Sequence, residues 1–163
     1  MSQKRPQAIT ASELAKRERR ITEIARKLGF VGRIEYRHEG SQSGGAQYGL
    51  ARVAEDDLLT VYAKAFDRDA DPEEYSLESM TAHERGHQLI ARTERLRRIL
   101  PTTWSEAAEE VLASLLGSLL VDSSEDERNL ILKAMFESVK LGNDLETVQN
   151  HHEELRDMLR RLK

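Results

Sequence analysis

The chain has 163 residues, of which 39% are hydrophobic and 33% are charged, and this length suffices for one domain with a sizeable core. It contains no cysteine, which excludes disulfides and thiolate-bound metals, and its net charge of -4 argues against a protein that coats nucleic acid. No apolar run approaches the roughly 20 residues needed to span a membrane, and the first residues lack the apolar stretch of a secretory signal, so we expect a cytoplasmic protein.

The first 66 residues predict a helix followed by three short strands. Residues 11–28 have a partial apolar stripe at helical spacing, with a capping box of Thr10 and Glu13 at the start and Gly29 at the end. The strands that follow alternate in polarity or are rich in β-branched and aromatic residues, and their short connections favour an antiparallel meander. The predicted strands are residues 31–38, 47–54 and 58–66.

The remainder of the chain predicts helices. Ser76 is placed to cap a helix of residues 76–96, and Pro101 separates this helix from the next. Thr103 and Glu106 form a second capping box, which opens the following helix. The predicted helices after Pro101 are residues 103–121, 124–141 and 144–162.

This order of elements predicts an α+β fold. We expect a small antiparallel three-stranded sheet packed against the helix of residues 76–96 and against the glutamate-bearing helix that follows it. No long linker or repeat divides the chain. We therefore interpret residues 1–163 as a single domain, with a core at about 31–121 and a helical C-terminal extension at about 122–163.

The stretch from His83 to His87 has the pattern H-E-x-x-H. On a helix, residues four apart lie on one face, so His83 and His87 can bind one Zn²⁺ through their ring nitrogens. Glu84 then lies beside the metal and can move protons as a general base and general acid. Met80 and Ile90 share the histidine face, which predicts that both histidines point inward. The motif is typical of zinc peptidases.

The metal motif and the helix after it resemble the gluzincin class, whose best-known member is thermolysin, and the smaller ImmA/IrrE-type metallopeptidases. Residues 81–87 read TAHERGH, and residues 110–114 read EVLAS in the position of the family's glutamate motif. The resemblance implies a peptidase whose zinc ion is held by a histidine pair and a downstream glutamate. Ser114 stands where the family has Asn or Asp, and we expect this change to weaken a contact that supports the ligands.

The identity of the third metal ligand remains open at the level of the sequence. The family motif favours Glu110, and Ala113 and Gly117 predict a close helix contact on the side of Glu110. The amphipathic phase of the helix instead favours Glu109, which lies nearer the large apolar face. Glu106 is a weaker candidate. We assign His83, His87 and Glu110 as the ligands, with Glu109 as the alternative to Glu110.

These observations predict a zinc-dependent metallopeptidase that hydrolyses a peptide bond in a protein substrate. The resemblance implies that this substrate is a transcriptional repressor. An edge strand of the sheet is expected to align an extended peptide. The alternative is a non-catalytic regulatory or toxin–antitoxin protein in which the metal is structural or vestigial.

Two further features concern partners. The last predicted helix has an apolar seam at heptad spacing, which is typical of packing against the chain's own core and would also suit a homodimer or a partner helix. Eight lysines and arginines in residues 4–27 indicate a solvated helix face more than a nucleic-acid site, so we expect neither nucleic acid nor membrane as a partner. The apolar seam of the last helix consists of Leu145, Val148, His152, Leu155, Leu159 and Leu162.

Of the histidines outside the motif, His38, His151 or His152 could stabilise an oxyanion.

Overall fold

The computed structural model confirms the predicted α+β class. The residues that it describes are 8–38, 45–69, 76–99, 106–139, 156–157 and 160–161. The elements are α1 (Ala11–Lys27), β1 (Arg33–Arg37), β2 (Ala46–Gly49), β3 (Leu58–Tyr62), α2 (Ala63–Asp69), α3 (Leu77–Arg92), α4 (Glu94–Ile99), α5 (Glu106–Ser118) and α6 (Ser124–Ser138). Among these residues, no helix has both the length and the apolarity that a membrane crossing requires.

The sheet has the strand order β1-β3-β2 and is mixed, so the predicted antiparallel arrangement is wrong. Strand β3 pairs in parallel with β1 and antiparallel with β2. The four residues from Leu59 to Tyr62 in β3 are all buried. A strand that is buried on both faces is most stable in the centre of a sheet. The more exposed strand β2 is left at an edge, beside the helices that follow.

All three predicted strands are also too long, and of the predicted residues 31–38 only Arg33–Arg37 form β1. Residues 50–53 are not part of β2, and a short 3-10 turn at Ala54–Asp56 precedes β3. Strand β3 ends at Tyr62, and the helix α2 begins directly after it at Ala63, where the sequence predicts further strand. The apolar residues of this stretch fit either structure, since short apolar runs do not distinguish a strand from a buried helix segment.

The first helix packs on the sheet as its sequence pattern predicts. The side chain of Thr10 accepts a hydrogen bond of 3.2 Å from the backbone amide of Glu13, and Gly29 ends the helix with a φ of +83°. Ile21 and Ala25 are buried in the main core, together with Leu59 of β3. This core also contains Leu77 and Met80, so it joins α1, the sheet and the start of α3.

The helix that carries the metal motif begins at its predicted cap. The Ser76 side chain accepts a hydrogen bond of 3.0 Å from the amide of Ser79. Helix α3 ends at Arg92 rather than at residue 96, and the chain continues into α4 after Thr93. Pro101, Thr103 and the C-terminal apolar seam lie outside the described residues.

A buried carboxylate joins α3 to the sheet. Asp57, just before β3, is fully buried and accepts hydrogen bonds from Arg92 at 3.0 Å, Gln88 at 3.0 Å and the Tyr48 hydroxyl at 2.6 Å, as well as from the Ala51 amide at 2.8 Å. Burial alone would raise the pKa of this carboxyl, but the four donors hold it well below its usual range. The network fixes the C-terminal half of α3 against β2 and β3.

Candidate metal centre

Helices α3 and α5 approach each other unusually closely at the metal motif. A Cβ atom placed on Gly86 would lie 2.2 Å from the backbone oxygen of Ala113, and one placed on Gly117 would lie 2.9 Å from the backbone of Ala82. Both distances are too short for a real side chain, so each helix contributes one glycine to the contact. The close contact predicted at Gly117 is confirmed. Sequence reasoning missed Gly86, although its place inside the motif was visible.

This approach brings together the three side chains assigned as ligands. The Nε2 atoms of His83 and His87 are 3.1 Å apart. One carboxylate oxygen of Glu110 lies 2.8 Å from Nε2 of His83, and the other lies 3.2 Å from Nε2 of His87. His83 is only 4% exposed, whereas the Glu110 side chain is 40% exposed. These three residues form a group that could hold a metal ion.

The donor atoms fit a metal better than they fit one another. Each histidine can carry only one proton on Nε2, and Glu110 is an acceptor when ionised. If both Nε2 atoms are protonated, two N–H groups face each other across 3.1 Å. If either is unprotonated, its lone pair faces a carboxylate oxygen at 2.8 or 3.2 Å. With Glu110 ionised, every arrangement of the Nε2 protons leaves one repulsive contact, and a cation that accepts all three lone pairs removes it.

The spacing of the four facing atoms, the two Nε2 atoms and the two oxygens of Glu110, also suits a small divalent ion. Two ligand atoms bound at about 2.0–2.1 Å to one tetrahedral ion lie roughly 3.3 Å apart. The observed separations of 2.8, 3.1 and 3.2 Å are close to this value. Only small side-chain movements would be needed to seat an ion.

A hydroxyl and a carboxylate hold the histidines from behind. The Oγ atom of the buried Ser114 lies 2.8 Å from Nδ1 of His83, and a carboxylate oxygen of Glu109 lies 3.6 Å from Nδ1 of His87. A metal-binding histidine commonly donates its second N–H to such a partner, which fixes the ring and its tautomer. Ser114 makes this contact itself, and the expectation that the contact is weaker than one from Asn or Asp stays a prediction.

The position of Glu109 bears on the alternative ligand. Its carboxylate is on the Nδ1 side of His87, whereas the cluster is formed by the Nε2 atoms. Glu110 is the glutamate that contacts both histidines at Nε2. The side chain of Glu106, the weaker candidate, lies outside the residues whose side chains are described. This geometry favours Glu110 as the ligand and gives Glu109 the position of a supporting partner.

Glu84, the glutamate of the H-E-x-x-H motif, lies in a cleft next to the cluster. The cleft has a volume of about 380 Å³, and its walls include Glu84, His87 and Glu110 together with Tyr48 and Leu50. The backbone amide of Tyr48, on strand β2, donates a hydrogen bond to the Glu84 carboxylate. Glu84 is thus held beside the cluster by the edge strand, and one side of the cluster is open to the cleft.

The environment shifts the pKa values of these groups in different directions. Burial raises the pKa of Glu84 to about 7 and lowers that of His83 to about 4. Burial also opposes the charge on His87, but the adjacent carboxylates of Glu109 and Glu110 raise its pKa to about 10. Hydrogen bonds from the two histidines hold the pKa of Glu110 well below its usual range. The cleft therefore contains one carboxyl group able to exchange a proton near neutral pH.

The other histidines do not enter the described part of the site. Nδ1 of His38 lies 2.9 Å from the hydroxyl of Tyr36, which also accepts a hydrogen bond from Arg17, and none of these three residues lines the cleft. His151 and His152 lie outside the described residues. An oxyanion-stabilising role for any of the three stays a prediction.

Comparison of the chain with protein-family models, with curated proteins and with solved structures finds no match in any of the three. The resemblance to the ImmA/IrrE-type metallopeptidases thus depends on the residues of the two motifs. The function is therefore inferred from the geometry of the site.

Proposed function

We propose that this protein is a zinc-dependent metallopeptidase that hydrolyses a peptide bond in a protein substrate. His83, His87 and Glu110 would hold the ion, and Glu84 would move the protons. The observation that carries the proposal is the convergence of these three ligand side chains beside an open cleft that also contains Glu84. A purely structural zinc site is instead closed by four protein ligands.

Zinc is the ion that the donor set favours. Two histidines and a glutamate, with no cysteine available, form one of the common ligand sets of catalytic zinc. When bound, the ion would supply Lewis-acid polarisation of the scissile carbonyl and would lower the pKa of water. The supports behind the ring nitrogens, Ser114 and Glu109, keep the histidines oriented toward the ion.

Glu84 is placed to act as the general base. Its carboxyl group accepts a hydrogen bond from the Tyr48 amide and lines the cleft, and burial raises its pKa to about 7 when no ion is bound. A carboxylate with this pKa can accept a proton from the attacking water and, as the acid formed, donate it to the leaving amine. The neighbouring ligands do not share this role, because their lone pairs are directed at the ion.

The edge strand offers a place for the substrate backbone. Gly45 accepts a hydrogen bond from the amide of Tyr62, so alternate residues of β2 bond to β3, and the backbone groups of Ala46 and Tyr48 face away from the sheet. The Tyr48 amide is used by Glu84, which leaves carbonyl groups of this edge for an extended peptide. Such binding would place the peptide along the cleft, next to the ligand cluster.

The proposal is tested by separating metal binding from catalysis. The full chain would be loaded with zinc, its metal content measured, and its activity assayed against a library of extended peptides and against a DNA-binding repressor, the substrate that the resemblance implies. We expect about one zinc per chain, loss of zinc in His83→Ala, and retention of zinc with loss of hydrolysis in Glu84→Gln.

Two outcomes would count against the proposal. Hydrolysis that survives in Glu84→Gln would remove the assigned base. A wild-type protein that holds zinc firmly but cleaves no substrate would favour the non-catalytic alternative, in which the metal serves a regulatory or interaction protein.

A further inference from the structure

A second pocket lies on the other side of the metal helix. It has a volume of about 330 Å³, and its lining includes Arg85 of the metal motif, Lys27 and Gly29 at the end of α1, and Asp122. None of its lining residues lines the cleft beside the ligand cluster. The two pockets are therefore separate sites on opposite faces of α3.

The guanidinium group of Arg85 is poorly compensated in this pocket. Its Nη1 donates a hydrogen bond of 2.7 Å to the side-chain oxygen of Gln88, which also accepts one from the amide of Val31. Its Nε is buried and has no hydrogen-bond partner. Within the described part of the chain, no carboxylate forms an ion pair with Arg85. Burying an arginine with one shared neutral acceptor is costly, because the buried Nε–H has lost its water without gaining an acceptor.

The surroundings supply only partial compensation. The C-terminal end of α1 carries a partial negative charge, and Gly29 at this end leaves room for Nη2 of Arg85, which lies 3.4 Å from where a Cβ would be. The carbonyls of that turn accept hydrogen bonds from backbone amides and from Arg26. Among the described residues, Nε is therefore left buried without an acceptor, and Nη2 is the nitrogen that can reach a ligand in the pocket.

A second cation stands at the same pocket. Nζ of Lys27 lies 2.7 Å from Asp122 and 3.4 Å from Glu78, and the lysine and Asp122 side chains are 53% and 75% exposed. Exposed pairs of this kind contribute little stability, so an incoming anion can replace the Asp122 carboxylate at Lys27 at small cost. Arg85 and Lys27 can then act on one ligand.

We propose that this pocket binds a small oxyanion, a phosphate or a carboxylate group, through Nη2 of Arg85 and the ammonium group of Lys27. Each of these two cationic groups can donate a charge-assisted hydrogen bond to an oxygen of such a group, which would compensate the poorly paired charge of Arg85. The volume of the pocket exceeds that of an inorganic phosphate, which leaves room for the molecule that carries the group. This site does not depend on the proposed peptidase activity.

The test follows the Nε–H resonance of Arg85 in ¹H–¹⁵N spectra of the full chain. Inorganic phosphate and acetate would be titrated in parallel at constant ionic strength, with chloride as the reference salt. We expect a saturable shift of this resonance. The dissociation constant, measured by calorimetry, should rise about tenfold in Arg85→Lys, which keeps the positive charge but loses the planar guanidinium group. It should also rise in Lys27→Gln and stay unchanged in Arg19→Gln, the control that removes an exposed charge from the same helix.

The two anions and one more variant distinguish the possible sources of a signal. Tighter binding of phosphate assigns a phosphorylated ligand, and tighter binding of acetate assigns a carboxylate ligand. Binding that persists in His87→Ala is independent of the metal cluster, as the proposal requires. No saturable shift with either anion, or equal affinity in Arg85→Lys and the wild type, would overturn it.

Discussion

Replacing Gly86 by alanine tests the close approach of helices α3 and α5 most directly. In an open helix this change stabilises a protein by about 0.5–1 kcal/mol, because glycine is the poorer helix former. Here the new Cβ would lie 2.2 Å from the backbone oxygen of Ala113, more than 1 Å inside normal contact. No side-chain rotation can relieve a clash with backbone, so the helices have to separate. Overpacking of this kind costs about 1–3 kcal/mol, and we expect a net loss of stability near 2 kcal/mol.

The same separation should weaken metal binding, since His83 and His87 are on one helix and Glu110 is on the other. We expect at least about a tenfold loss of zinc affinity, the scale seen when the support of a metal ligand is disturbed. Urea unfolding followed by circular dichroism gives the stability, and competition with a chelator gives the affinity. Gly49→Ala is the control, because a Cβ there has its nearest neighbour at 3.7 Å. If Gly86→Ala is as stable as the wild type and binds zinc equally well, the helix contact described above is incorrect.

Three further changes probe the supports of the site. Ser114→Ala should lower zinc affinity by about tenfold without unfolding the protein, because Nδ1 of a ligand loses its partner, while Ser118→Ala one turn later should leave the affinity unchanged. Glu109→Gln should weaken zinc binding severalfold, and a complete loss of metal would instead make Glu109 a ligand. Asp57 has a lowered pKa in the folded state, so its contribution to stability is present above pH 4 or so and is lost as the pH falls further. Urea midpoints of Asp57→Asn should therefore be lower than wild type at pH 7 and less sensitive to acid, and parallel pH profiles would contradict the network around Asp57.

Local signals predicted the start and end of α1 and the start of α3. The caps at Thr10 and Ser76 and the glycine stop at Gly29 depend on hydrogen bonds between near neighbours in the chain, so a few residues suffice to indicate them. The order of the strands was not predicted. It depends on which strand buries both faces, and this is decided by the helices that cover the sheet rather than by the length of the connections.

The sequence by itself determined which residues share a helical face, and so it placed His83 and His87 together with Glu84 beside them. It could not decide between Glu109 and Glu110, because amphipathic phase and motif disagreed and the choice depends on how α5 rotates against α3. The tertiary structure favours Glu110, because the glycine contacts at Gly86 and Gly117 set the approach and facing of the two helices and Glu110 is the glutamate grouped with both histidines. Interactions within one helix follow from sequence spacing, whereas contacts between helices depend on packing that no single segment specifies.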